Sequence, residues 1–115
     1  MTVTIYHNPR CSKSRQTLRL LEARGIAPKI VEYLKTPPSQ GELKSILKKL
    51  GIDPSALLRR GEQLYAELGL QDAKFSEDAL IKLMVENPIL IERPIVVNGA
   101  KATIGRPPEK VLEIL

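Results

Sequence analysis

The sequence predicts an α/β fold: a four-stranded mixed sheet with helices on its faces and a helical insertion in the middle. Three observations predict it. The first third of the chain reads strand, helix, strand. A stretch of helix signals without a strand follows. Two short apolar runs around Asn98-Gly99, then a last helix, close the chain.

The elements follow in order. Val3, Ile5 and Tyr6 predict a strand from Thr2 to Tyr6. Leu18, Leu20 and Leu21 give a helix from Ser12 to Arg24 an apolar side, with Gly25 as its stop. Lys29 to Leu34, through Ile30-Val31-Glu32-Tyr33, predicts a second strand, parallel to the first because a crossover helix joins them. Thr36-Pro37-Pro38 breaks the chain. Ser39 with Glu42 is a capping box, and Leu43, Ile46, Leu47 and Leu50 form one helix face before Gly51. Asp53-Pro54 opens a short helix through Leu58, and a further helical piece covers Glu62 to Leu68. Ser76 caps a helix through Glu86 that Asn87-Pro88 stops. Ile95-Val96-Val97, Asn98-Gly99 and Ala102-Thr103-Ile104 predict a hairpin, and Pro108-Glu109 opens a final helix to Leu115. A βαβ unit followed by ββα is the thioredoxin order. The expectation is one thioredoxin-like domain over residues 1–115, with the insertion at about 37–88.

Composition narrows the function classes. With 43% hydrophobic and 27% charged residues the chain is too apolar for disorder. No apolar run approaches the ~18 residues that span a bilayer, and the N-terminus lacks the pattern of a signal peptide. A single cysteine cannot form an internal disulfide, so a reducing cytoplasm fits. The net charge of +5 suggests nucleic acid, but three Tyr, one Phe and no Trp offer few stacking surfaces. A solvated basic surface or a pocket for a small anion fits better. No metal, flavin or nucleotide motif occurs, and monomer is the default.

The chemistry centres on Cys11, in Tyr6-His7-Asn8-Pro9-Arg10-Cys11-Ser12-Lys13-Ser14-Arg15. It falls where a strand turns into a helix, against free N–H groups and a positive dipole end, and both favour thiolate over thiol. The alternative is a small buried hydrophobe. Arg10, Lys13, Arg15 and the polar flanks weigh against that. Ser14 stands where a Cys-x-x-Cys enzyme has its second cysteine, so Cys11 could not resolve its own mixed disulfide and would need an outside thiol. His7, the one histidine, is either a polar strand end without a task or a protonated imidazole that stabilises the thiolate. Arg59, Arg93 and Arg106 stand at breaks between elements, and guanidinium forks suit tetrahedral oxyanions. Pro94 reads equally as a strand-start proline or as the second residue of a cis Arg93-Pro94 bond.

Four blocks together resemble the ArsC-type arsenate reductases, in the family's order and spacing and over about residues 3–115. They are His7-Asn8-Pro9-Arg10-Cys11-Ser12-Lys13-Ser14-Arg15, Ala56-Leu57-Leu58-Arg59-Arg60, Pro88 through Val97, and Gly105-Arg106-Pro107. The resemblance implies a thioredoxin-like fold with a helical insertion. It implies Cys11 as catalytic cysteine, His7 as a residue favouring the thiolate, and Arg59, Arg93 and Arg106 as oxyanion ligands. Pro94 would match a cis-proline facing the site. Arsenate would be the substrate, glutathione the co-substrate with no bound cofactor, and glutaredoxin the partner. Ser12 stands where well-known members have glycine. The superfamily also holds a redox-linked transcription regulator of the Spx type, which uses two cysteines that Ser14 precludes here. A glutathione-dependent thiol reductase of the same fold that does not use arsenate is the third reading.

Overall fold

Four strands form a single sheet: β1 (Val3–His7), β2 (Lys29–Glu32), β3 (Ile95–Asn98) and β4 (Lys101–Ile104). Its order is β2-β1-β3-β4. β1 runs parallel to β2 and antiparallel to β3, which is antiparallel to β4. This mixed sheet is the thioredoxin-like arrangement that the sequence predicts. The computed structural model describes residues 2–71 and 74–115. Residues 1, 72 and 73, which fall within the expected domain (72 and 73 also within its insertion), lie outside the described residues. Two units make up the chain: Met1–Thr36 with Arg93–Leu115, and Pro37–Glu92.

In the first unit, β1 alternates. Val3, Ile5 and His7 are buried while Thr4 and Tyr6 are partly covered, as a period of two requires. Val3 and Ile5 share a core with Val96 of β3, Leu21 of α1 (Ser12–Ala23) and Val111, flanked by Leu18, Ile26 and Ile114. Burying each of these aliphatic side chains contributes roughly 1.5–3 kcal/mol. The same parity that drives Val3 and Ile5 into this core puts His7 on the α1 side of the sheet.

The second unit carries α2 (Gln40–Leu50), α3 (Gln63–Glu67) and α4 (Glu77–Glu86). Ser39 and Glu42 complete the predicted capping box, and Gly51 ends α2 in the left-handed region. Leu43, Ile46 and Leu47 are buried, and α4 packs on α2 and on two 3-10 turns at Pro54–Leu57 and Pro88–Leu90.

Several elements differ from the sequence expectation. β1 extends to His7, because Tyr6 and His7 still pair with Val31 and Glu32. β2 ends at Glu32, whose carbonyl accepts from the N–H groups of Lys35 and Thr36 and so turns the chain. The short helix after Asp53 is a 3-10 turn that stops at Leu57, since Leu58 is extended and bridges Ile91. The final helix is also 3-10, Pro108–Ile114. It opens on Pro107-Pro108, which removes two backbone donors. The hairpin loop is Gly99-Ala100, one residue later than predicted, because Asn98 pairs with Lys101. Gly99 takes a φ of +62° at its first position.

Candidate active site

Cys11 occupies the N-cap of α1, with extended backbone and no side-chain capping bond of its own. The turn before it is closed by the Cys11 N–H donating to the Asn8 carbonyl at 3.0 Å, around Pro9. Asn8 Oδ1 accepts from the Arg10 N–H at 3.0 Å, and Arg15 Nη1 donates to the Pro9 carbonyl at 2.9 Å. These bonds fix the loop from both sides. The half-buried cysteine is thereby held at the positive end of a twelve-residue helix, an arrangement suited to anions.

Ser14 anchors the loop from within. It is fully buried on the first turn of α1. Its Oγ accepts the Asn8 N–H at 3.0 Å and pairs with His7 Nδ1 at 2.6 Å. His7, 6% exposed, has its pKa held below the ordinary 6.5 by burial; Glu32 pushes it up and Arg15 down. Of the two readings the sequence leaves open for His7, the protonated imidazole is thus the disfavoured one. Burial selects the neutral ring, and the ring's recorded partner is Ser14. A neutral imidazole can donate or accept through Nδ1, and a hydroxyl accommodates either role.

Arg106 follows β4 and reaches the sulfur. Its Nη2 lies 3.7 Å from Cys11 Sγ, and its Nε donates to the Arg93 carbonyl at 2.8 Å. The Gly105 N–H donates to the Pro94 carbonyl at 2.9 Å, which ties the segment after β4 to the one before β3. A Cβ on Gly105 would meet Thr17 Oγ1 at 2.6 Å and Pro94 Cγ at 2.9 Å, so the approach is close. Arg93-Pro94 is cis, the second of the two readings left open for Pro94, and Arg106-Pro107 is cis as well. Arg93 is 8% exposed. A guanidinium so removed from water exerts its field through a low effective dielectric.

Arg59 belongs to the second unit. Its Nη1 donates to Glu62 Oε1, and its Nε lies 3.8 Å from Glu92 Oε1. The first unit therefore brings together Cys11, His7, Ser14, Arg93, Pro94 and Arg106, while Arg59 is held by carboxylates in its own unit. Sequence reasoning missed Asn8 and Arg15 as loop fasteners, and Glu62 and Glu92 as partners of Arg59. The Asn-Pro turn signal and the i,i+3 spacing of Arg59 and Glu62 were the available hints. Among the described residues no three His, Cys, Asp or Glu side chains cluster as metal ligands, and no helix is long and apolar enough to cross a membrane.

Known proteins resemble this chain along its whole length. A model of the ArsC family matches residues 6–114. An arsenate reductase of Haemophilus influenzae is 56% identical over 116 residues, with 100% of each chain covered. The uncharacterized protein YfgD of Escherichia coli is 57% identical over 114 residues, covering 98% of this chain and 96% of its own. The solved structure of an arsenate reductase from Vibrio cholerae superposes with a TM-score of 0.97 at 57% identity, covering 100% of this chain and 98% of the other.

Proposed function

Because the chain belongs to the ArsC family, we propose that it is an arsenate reductase that uses the Cys11 thiolate as nucleophile and glutathione with glutaredoxin as reductant. The observation that carries this reading is the Arg106 guanidinium lying 3.7 Å from Cys11 Sγ. A cation beside the sulfur can bind the oxyanion that the sulfur attacks and hold it at the nucleophile.

In the proposed sequence, arsenate docks at the N-terminus of α1. Arg93 and Arg106 balance its charge, and the family resemblance adds Arg59 as a third arginine. The Cys11 thiolate attacks arsenic, an S–As bond forms, and one arsenate oxygen leaves as water after protonation. A glutathione thiolate then attacks this adduct. An S–S bond forms between Cys11 and glutathione, the S–As bond breaks, and its electron pair stays on arsenic. Arsenic goes from As(V) to As(III) and departs as arsenite, while the two sulfurs are oxidised to a mixed disulfide. Ser14, in the place of a resolving cysteine, leaves that disulfide to glutaredoxin. His7 and Ser14 act as positioning residues for the loop. The components of this chemistry fit a cytoplasmic enzyme.

An NADPH-coupled assay with glutathione, glutathione reductase and glutaredoxin, run with and without arsenate, tests the reading. NADPH consumption that requires arsenate supports it. Consumption that ignores arsenate points instead to a thiol reductase of the same fold.

A further inference from the structure

Arg59 does not stand alone, and the way it is held has a function of its own. We propose that Glu62 and Glu92 are positioning residues for Arg59: they grip its guanidinium through two different nitrogens and offset its charge, and so set how tightly it takes an oxyanion. This rests on Arg59 meeting the oxyanion, as in the reading above.

The grip is built by the backbone. Leu58 and Ile91 form an antiparallel bridge, with the Arg59 N–H donating to the Leu90 carbonyl at 2.7 Å and the Glu92 N–H to the Leu57 carbonyl at 2.8 Å. Leu58 and Ile91 are 6% and 2% exposed, so both turn inward. Side chains alternate along extended backbone, and the next residues, Arg59 and Glu92, therefore share the opposite face. Glu62 arrives by a second route. It is the N-cap of α3, yet its carboxylate makes no capping bond. It pairs with Arg59 Nη1 instead. Glu92 takes the Nε side, and the ligand contact proposed is through Nη2.

Each carboxylate offsets part of the attraction that the guanidinium offers an anion. The side chains of Arg59, Glu62 and Glu92 are 26%, 21% and 26% exposed, so their fields are only partly screened. A dianion approaching Nη2 gains the arginine's attraction and meets the repulsion of both carboxylates. Glutamine keeps an oxygen acceptor for Arg59 and removes the charge. Glu62→Gln and Glu92→Gln should each tighten oxyanion binding by about three- to tenfold, the scale of one screened unit charge acting on a dianion. A purely structural role predicts the opposite sign, since a loosened segment binds more weakly.

The test is an NMR titration of the Arg59 Nε–Hε resonance with inorganic phosphate, in the parent protein and in each glutamine variant. The expected result is a phosphate dissociation constant about three- to tenfold lower in each variant. Equal constants within twofold, weaker binding in both variants, or an Arg59 resonance that phosphate does not move would overturn the proposal. Phosphate is not reduced, so this readout is independent of turnover. Tighter phosphate binding in the variants, with no arsenate turnover by the parent, would sink the reductase reading and support the carboxylate grip.

Discussion

The loop that carries Cys11 and the segment that carries Arg59 hold their side chains by different physics. Around Cys11 the buried fastening runs through neutral groups: the His7 ring, the Ser14 hydroxyl and the Asn8 N–H. Around Arg59 it runs through charges, Glu62 and Glu92, each about a quarter exposed. Neutral hydrogen bonds can fix a sulfur without placing a counter-charge that competes with Arg106. Carboxylates fix a guanidinium at the cost of weakening it as an anion ligand. A buried neutral network tolerates little change, because an unpaired member costs about 1–3 kcal/mol. A partly solvated ion pair is worth at most about 1 kcal/mol and is tuned easily.

Four substitutions or conditions probe this contrast, from the largest effect downward. Cys11→Ser should reduce arsenate turnover by about 10³-fold or more, because an alcohol is far less nucleophilic than a thiolate at neutral pH. Its thermal unfolding should stay near that of the parent, since the cysteine side chain makes no capping bond. Parent-like turnover in the coupled assay would remove Cys11 from the chemistry. Arg106→Ala should lower kcat/KM by about 10²-fold through loss of the cation on the sulfur. It should also slow alkylation of Cys11 by iodoacetamide at pH 7. Unchanged alkylation would mean that the 3.7 Å contact carries no electrostatic weight.

Ser14→Ala should destabilise the fold by about 1–3 kcal/mol in urea unfolding, since His7 Nδ1 and the Asn8 N–H would both lose their buried partner. A change below about 0.5 kcal/mol would show that the loop is fastened elsewhere. The smallest effect concerns pH. The His7 pKa is lowered in the fold from 6.5, so on acidification the unfolded chain takes up that proton first. The neutral ring's contribution to stability is complete above pH ~6.5 and is lost as the pH falls from there through the folded-state pKa. A His7→Gln variant should lose that part of the acid dependence. If urea midpoints of parent and variant run parallel from pH 7 to 5, burial does not control the ring.

The contrast also explains what was legible in the sequence. The βαβ and ββα halves follow from apolar patterning and a hairpin signal, and the first insertion helix from a capping box; all three signals are local. The ends of elements were less legible where a distant segment decides them. Leu58 is extended because Ile91 pairs with it, and nothing near Leu58 announces Ile91. The same bridge sets Glu92 beside Arg59, so that pair was hidden as well. Cys11 and Arg106 could be singled out by type and context, but the 3.7 Å contact between them depends on how the segments around Pro94 and Gly105 are tied together. Ser14 was informative in the sequence for not being cysteine. Its bond to His7 needs both strand parity and the exact start of α1. The sequence left the charge of His7 open because composition carries no information about burial.

The most direct test of Cys11 chemistry is intact-protein and peptide mass spectrometry after one turnover without glutaredoxin. Protein incubated with arsenate and glutathione should carry a single glutathione in disulfide linkage at Cys11, the one cysteine of the chain, and arsenite should appear in equal amount. Without arsenate the sulfur should remain a free thiol. Glutathionylation that is independent of arsenate, or arsenite formed with Cys11 unmodified, would contradict the mechanism.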